Sequence, residues 1–146
     1  MEPDFVTKLE KMTDRSLKAY INAGWDEANA EELAEELASF LEGTEADTLA
    51  ISPLKYKLAV QNMLERFWER VRAQLPSDPQ QIEETQKKLR DFIIAHLGDI
   101  THTFAAIFQG QTPQPNELAP IIALILLYLL RRWEDYLQAQ KKRASS

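Results

Sequence analysis

Residues 118–130 read Leu-Ala-Pro-Ile-Ile-Ala-Leu-Ile-Leu-Leu-Tyr-Leu-Leu, with no charge and a single hydroxyl, on Tyr128. A helix that lies on a core is apolar along one stripe, whereas a helix that is apolar all round lies inside something. In a helix Ile121, Ile122, Leu124, Ile125, Leu126, Leu127, Leu129 and Leu130 point in every direction. Its surroundings must be its own chain, a second copy, another protein or lipid. At about 1.5 Å per residue the run spans roughly 20 Å, short of a hydrocarbon layer about 30 Å thick. Glu117 bounds it on one side, and Arg131, Arg132, Glu134 and Asp135 on the other. A transmembrane span is therefore not expected, and peripheral membrane contact is a minor alternative. The leading expectation is a central core helix with part of its surface in a dimer. The candidate interface residues are Leu124, Leu126, Leu127, Tyr128, Leu130, Trp133 and Trp68.

The 146-residue chain is one domain in length, with residues 109–116 a possible linker before the last helix. It has four glycines and abundant Leu, Ala, Glu, Lys and Gln, which favours an all-α fold. The absence of cysteine removes disulfides, thiolate metal sites and thiol nucleophiles. It also fits a cytoplasmic protein, and the acidic N-terminus does not read as a signal peptide.

The net charge of −6 disfavours nucleic acid as the main partner. Through Ala50, thirteen acidic residues face four basic ones, a balance of −9, whereas the remainder carries +3. Glu31, Glu32, Glu35 and Glu36 lie in the most acidic stretch. Two readings stand: a solvated helix face, or electrostatic docking onto the basic half of the chain or onto a basic partner. The basic end (Arg131, Arg132, Lys141, Lys142, Arg143) reads first as solvated, and second as a patch that touches anionic lipid or nucleic acid.

The apolar spacing predicts a compact bundle of five helices. The first runs from Pro3 to a stop at Gly24. The second is expected from an N-cap at Asp26, with Leu33, Leu37, Phe40 and Leu41 inward. Ser52-Pro53 restarts the chain for a third helix over 53–75. Its inward face includes Leu54, Leu58, Val60, Leu64, Phe67, Val71 and Leu75, with Arg66–Glu69 as the expected ion pair. Ser77 or Asp78 is expected to cap a long fourth helix over 79–108. Its seam is Ile82, Gln86, Leu89, Ile93, Leu97, Ile100, Phe104 and Ile107, and Gly98 is its expected bend. Asn116 is the expected cap of the last helix, over 117–140, central and apolar all round, with Pro120 in its first turn.

Chemistry is sparse. His96, Asp99 and His102 are the only grouping of ligand-type side chains, and they are weak metal candidates. Steps of three residues rotate each about 60° from the last, so one helix cannot close all of them on one ion. Phosphate loops, metal-binding Glu/His pairs and nucleophile elbows are missing from the sequence. No cofactor is expected, and an enzyme is disfavoured. Trp68 and Trp133 share a Leu-x-Arg-x-Trp-Glu context. Each reads either as capping a core or as anchoring a partner. Taken together, the chain reads as a non-catalytic, adaptor-like interaction or regulatory protein that pairs as a homo-oligomer or with another protein. A carrier holding a hydrophobic ligand inside the bundle is the alternative, and a metal-dependent enzyme comes third.

Overall fold

The computed structural model describes residues 3–44 and 54–145. Among them the chain is all-α, with no strand. The described residues form seven α-helices, not five: α1 (Pro3–Asn22), α2 (Ala30–Ser39), α3 (Leu54–Val71), α4 (Ile82–Ala95), α5 (Leu97–Thr103), α6 (Ala105–Phe108) and α7 (Pro115–Ser145). The last helix is the hub: α1, α2 and α4 all pack on α7, α3 touches it more narrowly, and α2 and α5 close over α3.

α1 ends where the sequence says it should. The N–H of Gly24 donates to the Ile21 carbonyl, and its φ of 91° is the left-handed geometry that a residue without Cβ adopts at least cost. The expected start of α2 at Asp26 is overturned, because Trp25–Glu27 forms a short 3-10 turn instead. The cap lies three residues later, at Asn29. Its Oδ1 accepts from the Glu32 N–H at 2.8 Å, and Glu32 Oε1 accepts from the Asn29 N–H at 3.3 Å, a reciprocal capping box.

The proposed Ser52-Pro53 restart lies outside the described residues. In α3 the expected inward position Leu58 is 52% exposed, and Tyr56, Met63 and Trp68 are buried instead. The ion pair also differs, for Glu69 meets Arg72 at 3.6 Å rather than Arg66.

The long fourth helix is not continuous. Asp78 does not cap it but folds back onto the Gln80 N–H at 2.9 Å, and the helix starts at Ile82. It breaks at His96 (φ −116°, ψ 28°) and again at Phe104 (φ −104°, ψ 20°), not at Gly98, which lies inside α5. At the first break the His96 Nδ1–H donates to the Phe92 carbonyl at 2.7 Å, and the ring stacks on Phe92 at 4.1 Å. That bond supplies a local partner where the ladder is interrupted. The breaks re-aim the seam without spilling it: Leu89, Ile93, Leu97, Ile100 and Phe104 remain buried, while Ile82 at the open end does not.

α7 is longer than expected, starting at Pro115 and running to Ser145. Its first turn is held not by Asn116 but by the Glu117 carboxylate, which accepts from the Gln114 N–H at 3.0 Å. Pro120 therefore falls in the second turn, where it removes one ladder donor. None of residues 121–130 exposes more than 7% of its surface. The apolar run is wrapped by its own chain.

Candidate functional site

The residues expected at an interface are interior residues of the single chain. Leu124, Leu126, Leu127, Tyr128, Leu130, Trp133 and Trp68 are all buried within it. Trp133 spends its N–H inside as well, donating to the Pro76 carbonyl at 2.7 Å and tying the 76–79 turn to α7.

Beyond the run, two arginines anchor α7. Arg131 donates to the carbonyls of Asp26 (2.7 Å) and Ala28 (3.1 Å), groups that the 3-10 turn leaves without ladder partners. Arg132 faces α3. Its guanidinium reaches Glu65 at 2.7 and 3.3 Å and the Tyr128 hydroxyl at 2.8 Å. It lies 5.2 Å from the Trp68 ring centre and 5.8 Å from that of Tyr128. Trp68 in turn meets Tyr136 edge-on, and Arg72 lies 5.3 Å from the Tyr136 ring centre. The result is a ladder of alternating cations and rings welding α3 to α7. The hydrogen bond from Arg132 holds the Glu65 carboxyl below its ordinary range, against the opposing effect of partial burial. The same contact with Glu65 raises the guanidinium. Burial raises the Tyr128 phenol, and the bond from Arg132 partly offsets this.

Two open clefts flank this frame. The larger, about 900 Å³, lies between the C-terminal third of α7 and the start of α4. Its apolar surface comes from Trp133, Tyr136, Leu137, Ala144, Pro79 and Ile82, the last 41% exposed. Glu134 and Lys141 stand on its rim. Sequence reasoning missed this cleft, because its strip on α7 is diluted by Gln138, Gln140 and Lys141. The 4-3-4 spacing of Trp133, Leu137, Gln140 and Ala144 was the available signal.

The smaller cleft, about 540 Å³, is lined by Arg70, Lys88, Asp91, Phe92 and His96 among others. Its charges are mixed, and Arg70 leans towards Asp99 at 3.8 Å. Thus His96 stacks inside, Asp99 faces Arg70, and His102 is exposed. Among the described residues no group of three His, Asp or Glu side chains is placed to hold a metal.

Glu31, Glu32 and Glu35 are exposed and Glu36 is half-buried. None of the four has an ion-pair partner among the described residues. Glu32 is committed to the α2 cap, and the charge of Glu36 adds to burial in raising the Tyr20 phenol. No helix among the described residues is long and apolar enough to cross a membrane. Comparison with protein-family models, curated proteins and solved structures gives no match for this chain.

Proposed function

We propose that this chain is a non-catalytic, adaptor-like interaction protein that self-associates through its last helix. The observation that supports the reading is the division of labour along α7. Residues 121–130 are consumed by the core, yet the helix continues for about four more turns and lays an open apolar cleft beside the exposed Ile82. Apolar surface gathered in one rimmed cleft marks an interaction site more often than scattered single side chains do. The part of the last helix available to a partner is therefore the C-terminal third, with Leu137 and Ala144, rather than Leu124 or Leu126. The exposed acidic face of α2 is a second surface, suited to a basic partner.

Sedimentation velocity of the full chain from about 5 to 200 μM tests this, the range in which a weak self-association populates a dimer. A mass average that climbs from monomer towards dimer supports the reading. A monomer across that range overturns it.

A further inference from the structure

We propose that the basic partner of the α2 face is a second copy of this chain, the cationic stripe of α1 on each copy docking on the acidic outer face of α2 on the other about a twofold axis. This pairing rests on the reading of α2 as a docking face and is independent of the α7 cleft. The occupant is argued from charge complementarity.

The first fifty residues carry only four cations, Lys8, Lys11, Arg15 and Lys18, and all stand on α1. Steps of three, four and three keep them within about 80° of the helix circumference. All four are exposed, on the side opposite the buried Leu9 and Thr13. Of the acids on α1, Asp14 is held by Arg90 at 2.7 Å and Asp4 lies in the first turn. Glu10 falls about 80° beyond the edge of the stripe.

α2 is the converse. It buries Leu33, Ala34, Leu37 and Ala38 and turns Glu31, Glu32, Glu35 and Glu36 to the other side, with no cation among its ten residues. The α1 stripe rises about 15 Å, the length of α2. None of the four cations and none of the four glutamates has an ion-pair partner among the described residues.

Both helices pack on α7, and Glu36 of α2 acts on the Tyr20 phenol of α1. The two charged faces are therefore neighbouring flanks of one molecule. One twofold axis then engages both, each α1 meeting the other copy's α2.

Sedimentation velocity of the full chain tests the pairing. Between about 0.1 and 1 M salt the Debye length falls from about 10 to about 3 Å, so association through these faces should weaken at least about tenfold. An apolar contact at α7 should not weaken. Lys11→Glu with Arg15→Glu, and separately Glu31→Lys with Glu35→Lys, should each weaken association by at least about tenfold. Mixing the two double variants should give a heterodimer, because opposite charges then meet at both contacts. Each exchanged residue changes the net charge of −6 by two, to −10 in one variant and −2 in the other. Both stay negative, so overall attraction does not explain the heterodimer. All four exchanges in one chain should return association to within about threefold of the original. The exchanged residues are exposed and the Glu32 cap is untouched, so circular dichroism should show every variant folded.

Leu137→Glu separates this contact from the one at α7. Association that survives Leu137→Glu and is lost in the charge variants supports this pairing and overturns the α7 contact. Association that ignores salt and charge exchange, or that fails to recover on mixing, overturns this pairing alone. A wild-type protein that never leaves the monomer overturns both.

Discussion

Arg132 is the residue on which the α3–α7 junction turns. It combines a forked pair with Glu65, a bond to Tyr128 and two ring faces. Lysine keeps the charge but loses the fork and the planar stack. Arg132→Lys should therefore cost about 1–2 kcal/mol in urea unfolding, and Arg132→Ala somewhat more. The depressed Glu65 carboxyl fixes the pH dependence. Its folded value lies below the ordinary value of about 4.3, so its contribution is whole above that pH and fades as pH falls through the folded value. Because Glu65 is largely exposed, that contribution is small, at most about 1 kcal/mol. Melts of wild type and Glu65→Gln should differ at pH 7 and converge near pH 3. Thr13 offers the opposite case. It is 2% exposed and its hydroxyl has no hydrogen-bond partner among the described groups. Thr13→Val should be neutral or stabilising by up to about 1 kcal/mol, whereas most core changes destabilise.

Among the elements, local sequence was readable where one residue dictates geometry, and misread where partners distant in sequence decide. Gly24 announced the end of α1, because few other residues tolerate a φ of 91°. The α2 cap was missed by one turn. Asp26 is a good cap in isolation, but the Arg131 guanidinium, 105 residues away, claims its carbonyl for the 3-10 turn. Gly98 drew the bend because glycine is a weak helix former, yet the break falls at His96, whose ring bonds the Phe92 carbonyl. These readings separate in two substitutions. A Cβ at Gly98 meets nothing within 4 Å and its backbone is helical, so Gly98→Ala should stabilise by about 0.5–1 kcal/mol. Gly24→Ala should destabilise by about 1 kcal/mol through its left-handed backbone. Thermal melts of the two variants moving in opposite directions would bear this out. Equal losses would restore Gly98 as the hinge.

At the scale of the molecule, the charge-free run foretold a central helix, because apolar atoms on every side need protein on every side. It did not foretell how much of that wrapping one chain supplies. With α1, α2 and α4 around it and α3 touching it, residues 121–130 have no surface left to give. The cleft at the far end escaped notice because its walls, Pro79 and Ile82 on one side and Leu137 and Ala144 on the other, are far apart in sequence. Hydrogen exchange on α7 at several protein concentrations tests this division most directly. The account predicts that amides of residues 121–130 are protected to the same degree in dilute and concentrated samples, since the monomer encloses them. It predicts that amides of residues 138–144 exchange quickly when dilute and slow as concentration rises. Protection of residues 121–130 that falls away on dilution would contradict it, because a second copy would then be the wall that the monomer lacks.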